Sequence, residues 1–207
     1  MRIATVLVML ALVLAACGDR DSAGQGPDAT PPEARFTIEP EHLDEPYENA
    51  ELATAFRPPA GWEPLDAEQR DRLASALLSV QDDGHYRLEL VDLFLRTETM
   101  SFAAISRVTR GGEPVRDAVD YVEDFVELLG PEDEDQIRAR ADFSVNGIPV
   151  SQVRHMQSGR VGFTLVFPAA DGTLVQLNYS IPPAAYEEEG PKLESSVGTL
   201  RHVHAAP

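Results

Sequence analysis

The most regular stretch of the chain runs from Gln136 to Ile181, where apolar and polar residues alternate in successive blocks. Ile137, Ala139, Ala141 and Phe143 alternate with Gln136, Arg138, Arg140 and Asp142, the period-2 pattern of a strand with one wet face. Asn146-Gly147 follows, and both residues tolerate the positive φ of a tight hairpin turn. Ile148 to Met156 reads as a second strand, turned at Ser158-Gly159. Val161, Phe163, Leu165 and Phe167 mark a third, Asp171-Gly172 turns the chain again, and Val175, Leu177 and Tyr179 mark a fourth. Three turn signals between four strands predict an antiparallel meander.

Upstream, Arg87 to Arg96 and Ser101 to Thr109 read as a further strand pair. Ala67 to Val80 reads as a helix with Leu73, Leu77 and Val80 on one stripe. Val115, Ala118, Val119, Val122, Val126 and Leu129 recur at i+3/i+4 spacing, an amphipathic helix ended by Gly130-Pro131. Pro182-Pro183 stops the last strand, and Pro191 to Arg201 is expected to form a closing helix. Strands and helices are segregated along the chain, which predicts an α+β domain, an antiparallel β-sheet covered by α-helices.

The amino terminus follows a different pattern. Met1-Arg2 is a short basic head, and Ile3 to Leu14 is apolar except for Thr5. At about 1.5 Å per helical residue the run falls well short of a hydrocarbon core of roughly 30 Å, so it reads as a secretory signal and not a span. Residues 1–16 form that signal, with Leu14, Ala15 and Ala16 as its cleavage motif before Cys17. These residues resemble a bacterial lipoprotein signal, and the resemblance implies a lipidated Cys17 whose acyl chains hold the protein on a membrane. The competing reading is an ordinary signal peptide with a chance cysteine. Gly18 at the next position makes the outer membrane the expected address, by resemblance to enteric lipoproteins, and Asp19 weakens that inference. Residues 17–34 carry no apolar side chain larger than alanine after the cysteine, so they are expected to form a disordered tether. Its reach is on the order of 20–25 Å. Residues 35–207 are then a single domain.

Composition narrows the functions. Of 207 residues, 35 are acidic and 17 basic, a formal charge of −18 that repels phosphate backbones and argues against nucleic-acid binding. The one cysteine can make neither an intramolecular disulfide nor a thiolate metal cluster, and lipidation consumes it as a nucleophile. No G-x-S-x-G elbow, Walker loop or H-E-x-x-H is present. His42, His85, His155, His202 and His204 lie in no recognisable catalytic context. His155, on a strand, is read as structural, and His202-x-His204 as adventitious although i and i+2 share a strand face. The acidic runs Glu132 to Asp135 and Glu187 to Glu189 lack the spacing of a calcium loop. Asp117, Asp120, Glu123, Asp124 and Glu127 read as the solvated face of the amphipathic helix, with a weak divalent-cation or basic-partner surface as the alternative. Tyr47 and Trp62, with Phe56, bracket the extended Arg57-Pro58-Pro59-Ala60-Gly61 segment and form the possible binding surface; plugging a sheet edge is the competing role.

Four segments belong together: Phe56-Arg57-Pro58-Pro59-Ala60-Gly61-Trp62, Asp142-Phe143-Ser144-Val145-Asn146-Gly147, Tyr179-Ser180-Ile181-Pro182 and Leu193 to Leu200. As a set they resemble the PsbP/Mog superfamily, including bacterial envelope lipoproteins of the DcrB type. The resemblance spans about Tyr47 to Arg201 and implies an α/β/α arrangement. It carries over no catalytic residue, because members of the superfamily mostly act in binding or assembly. The expectation is a non-enzymatic, lipid-anchored periplasmic accessory protein, without cofactor or metal, whose partner is an envelope protein or component. The alternatives are a small-ligand or lipid carrier, or a hydrolase whose site is assembled non-locally.

Overall fold

A computed structural model describes residues 31–78, 86–129 and 139–203. In chain order the elements are β1 (Tyr47–Asn49), β2 (Thr54–Phe56), β3 (Glu63–Pro64), α1 (Ala67–Leu78), β4 (Arg87–Arg96) and β5 (Ser101–Arg110). Then come β6 (Glu113–Pro114), α2 (Ala118–Leu128), β7 (Ala139–Val145), β8 (Ile148–Gln157) and β9 (Arg160–Pro168). The chain closes with β10 (Leu174–Ile181), α3 (Tyr186–Gly198) and β11 (Arg201–His202). Val80, His85, Gly130, Pro131, the run Glu132 to Asp135, Gln136 to Arg138 and His204 lie outside the described residues, as do the side chains of Leu73 and Leu77.

The expected meander is present. Asn146 (φ 50°) and Gly147 (φ 78°) turn β7 into β8, and Ser158 (φ 51°) and Gly159 (φ 72°) turn β8 into β9. Positive φ at both central residues gives these turns the twist that two-residue hairpins require. Asn146 does more than turn the chain. Its amide donates to the carbonyls of Leu200 (2.8 Å) and Gly198 (3.2 Å), holding the end of α3 to the hairpin. The main sheet runs β3-β4-β5-β10-β9-β8-β7, with β6 paired to β5, and every pairing in it is antiparallel.

Helices lie on both faces of that sheet. One face carries Phe94, Ile105, Leu165, Phe167, Leu177 and Tyr179, packed with Trp62 and with Leu193 and Val197 of α3. The other carries Val108, Val153, Val166 and Leu174, packed with Tyr121 and Val122 of α2. The central strands are therefore buried on both sides, and Thr164 and Gln176 lie buried where simple alternation expects water. Asp117 caps α2 by accepting from the amides of Val119 (2.9 Å) and Asp120 (3.3 Å), so it is not one of the wet-face carboxylates.

Three expectations need correction. The closing helix starts at Tyr186, led in by a short 3₁₀ turn (Pro183–Ala185), and Pro191 lies inside it. Pro191 leaves the Glu187 carbonyl without its helical donor, and Glu187 is exposed to solvent that can replace it. The segment around Tyr47 and Trp62 also contains strands: β1, β2 and β11 form a separate small sheet. Finally, the end of the expected tether is held by the domain. Ser144 N donates to Pro32 O and Ala34 N to Ser144 O, both at 2.8 Å, and Glu33 accepts from Asn146 N at 2.8 Å. Backbone pairing at an open strand edge offsets the ordering cost that the small side chains cannot.

Candidate functional site

Trp62 does not form a surface. Gly61, at φ 80°, turns the chain so that the indole enters the core, where it is 1% exposed and meets Tyr179 edge-on at 5.9 Å. Its Nε1 donates to Glu189 Oε2 at 2.9 Å. Glu189 belongs to the expected acidic surface run, yet it is fully buried. Arg96 Nη1 lies 2.6 Å from its Oε1, and Lys192 Nζ 3.6 Å. The same Arg96 reaches Glu188 at 2.7 Å, beside Lys192 at 3.2 Å, and these two cations hold the Glu188 carboxyl below the usual carboxylate range. The cluster joins the end of β4, the turn at Trp62 and the first turns of α3.

Tyr47 is half-buried, edge-on to Phe56 at 5.4 Å and Phe94 at 5.1 Å. Its hydroxyl donates to Asp92 at 2.9 Å and accepts from Asn49 at 3.0 Å, so its polar end is engaged within the fold. Tyr179 and Tyr121 are buried more deeply. Burial raises the pKa of both well above the ordinary value of 10.0, since the phenolate would be desolvated. Tyr179 donates to Ser196, which donates to the Arg57 carbonyl (2.6 Å), and Tyr121 donates to Gln176. In each case the folded state holds its proton more tightly than the unfolded state. Stability is therefore fully present below about pH 10 and is lost as pH rises through the raised values. The expected slope is about 1.4 kcal/mol per pH unit for each tyrosine. Urea midpoints measured from pH 9 to 11 check this, and a flat profile would contradict it.

His155 is buried on the α2 side of the sheet, over Gly162 and edge-on to Phe125 at 5.9 Å. A Cβ at Gly162 would lie 2.3 Å from the His155 ring, so the missing side chain makes room for the imidazole. Thr164 Oγ1 donates to Asn178 Oδ1 (3.1 Å), which leaves His155 Nε2 (3.2 Å) as the donor to Thr164. Thr164, in the middle of this chain of bonds, is fully buried. His202 Nε2 lies 3.0 Å from the Pro168 carbonyl, and His42 pairs with Glu39 at 2.8 Å. No group of three or more His, Cys, Asp or Glu among the described residues is placed to hold a metal ion. Leu14, Ala15, Ala16 and Cys17 lie outside the described residues.

The open chemistry of the domain lies on β7, which sequence reading passed over. Ala139 to Asp142 are all exposed, although alternation places Ala139 and Ala141 inside; β7 is the edge strand and only Phe143 to Val145 become covered. Ser144 directs its N–H and C=O outward, to Pro32 and Ala34, so the two-residue period directs those of Asp142 and Arg140 outward too. Pro32 has no N–H to give the Asp142 carbonyl, and among the described residues no strand or bridge pairs with Arg140 or Asp142 on that side. Behind the edge, on the α3 side of the sheet, Arg154 stands in register between Ala139 and Phe163. Its Nε is enclosed and has no hydrogen-bond partner, and no ion pair reaches it among the described residues. The readable signal was two alanines spaced by two, opposite an arginine on the next strand.

The described chain is thus an α+β domain built on one antiparallel sheet. No family model matches the sequence, and no curated protein matches it. Among solved structures, it is similar to the cyanobacterial PsbP (CyanoP) of Synechocystis sp. PCC 6803, with a TM-score of 0.48 and 12% identity. That likeness covers 86% of this chain and 99% of the other. A protein from Bacteroides thetaiotaomicron VPI-5482 is similar at a TM-score of 0.39 and 9% identity, over 78% of this chain and 49% of the other. No described helix is long and apolar enough to cross a membrane.

Proposed function

We propose that the protein is a lipid-anchored accessory protein of the cell envelope, facing the periplasm, and that it acts by binding another envelope protein without catalysis. The observation that carries this reading is Leu14-Ala15-Ala16-Cys17 directly after a short apolar run, in a chain with no other cysteine. Each buried methylene of an acyl chain contributes about 0.8 kcal/mol, and more than one chain gives stable attachment. The outer membrane is the proposed address, from Gly18 after the cysteine. The segments Phe56 to Trp62 and Asp142 to Gly147 support a DcrB-type domain. A binding role is supported by the edge of β7, where among the described residues Arg140 and Asp142 have no strand partner on one side, since unpaired strand edges are templates for another chain.

The anchor is tested by Cys17→Ala. The variant is expected to leave the membrane fraction and to lose palmitate labelling. Labelling that persists in the variant would overturn the proposal.

A further inference from the structure

We propose that the β7 edge receives an extended segment of a partner protein as an added strand, and that Arg154 recognises an acidic side chain on that segment. This rests on the binding role proposed above and names the chemistry of its partner.

The backbone sets the mode of docking. Arg140 and Asp142 present outward N–H and C=O groups, and the chain's own Glu33 already pairs with Ser144 at the same edge. The edge thus accepts an added strand at one end, and among the described residues nothing pairs with the rest of it.

The side chains set the specificity. An added strand lies two strand spacings from β8, roughly 10 Å. Ala139 and Ala141 stand between them on that face and are too small to block a long side chain. A glutamate leaning over Ala139 meets Arg154 leaning the other way. The Arg154 guanidinium, which has no ion-pair partner among the described residues, would then gain a carboxylate, and a guanidinium fork suits one. Lysine or arginine on the docked segment would face the same cation and be rejected. A domain this acidic repels acidic partners elsewhere, so an arginine that has no carboxylate partner among the described residues, beside a strand edge, confers local selectivity.

The test uses the full chain in living cells, with a benzoylphenylalanine photo-crosslinker in place of Arg140, exposed on the face of β7 away from Arg154, or, on α2, of the exposed Val119. Capture is expected at position 140, and peptide mapping is expected to place the crosslink in an extended segment bearing Asp or Glu. Arg154→Gln should reduce that capture at least about tenfold, the loss of one charge-assisted bond, and Arg154→Lys should restore part of it. Asp142→Pro removes an outward N–H while leaving the β8 ladder intact, and should reduce capture similarly with an unchanged melting temperature. Capture at 140 that survives both Arg154→Gln and Asp142→Pro overturns the inference, as does a mapped segment without an acid. Capture at 119 alone overturns this site and leaves the accessory-protein reading standing. Capture at neither position counts against both.

Discussion

Glu189→Ala is expected to destabilise the domain by about 3–5 kcal/mol, the range for removing one partner of a buried ion pair. The loss has two parts. The indole N–H of Trp62, in a side chain 1% exposed, loses its acceptor, and among the described residues Arg96 keeps Glu188 and, at 3.8 Å, Glu98. Because Glu188 remains beside Arg96, the lower end of the range is the firmer expectation. Glu189→Gln separates the parts, since an amide oxygen can still accept from Trp62 while the charge is gone; its expected cost is about 1–3 kcal/mol. Urea unfolding read by the fluorescence of the chain's one tryptophan reports both the midpoint and the local environment. A loss below about 1 kcal/mol in Glu189→Ala, with Trp62 emission unmoved, would show that the cluster does not hold α3 to the sheet.

Phe167→Ala is expected to cost about 3–5 kcal/mol, through lost transfer energy and the cavity left behind. Phe167 is fully buried and stands opposite Val175 on the α3 side of the sheet. Sheet backbone surrounds it, so the site cannot collapse readily, which favours the upper part of the range. The same substitution at Phe163, 8% exposed beneath a stacked Tyr186, should cost less because one side of its ring can relax toward solvent. Equal losses at the two positions, or a loss under about 1 kcal/mol at Phe167, would mean that the inner face of β9 is wrongly assigned.

How much of this was legible in the sequence depends on whether the signal is local. β4 was readable as Arg87 to Arg96, and all three turns of the meander were, because turn residues and alternation act over a few positions. The start of α3 was not. Gly190-Pro191 is a fair stop signal, but proline near an exposed helix turn leaves only a solvated carbonyl unsatisfied. The choice between the two roles of Trp62 was hidden for a related reason: its partner Glu189 is 127 residues away, and no spacing rule links an indole to one member of a glutamate run. The exposure of Ala139 and Ala141 depends on β7 lying at the edge of the sheet, which is a property of strand order and not of strand pattern.

That strand order has a consequence for how the molecule assembles. Every pairing from β7 to β10 joins neighbours in sequence, and so does β4 with β5. The two sets meet only where β10 lies against β5, with Val175 opposite Arg107 and Tyr179 opposite Ala103. The sheet is two locally built halves joined along one seam, and the seam carries the long loop closure. Until it closes, β10 presents an unpaired edge bearing Val175, Leu177 and Tyr179. The pairing at the centre of the finished sheet is therefore also what covers an apolar strand edge that could otherwise pair with another chain.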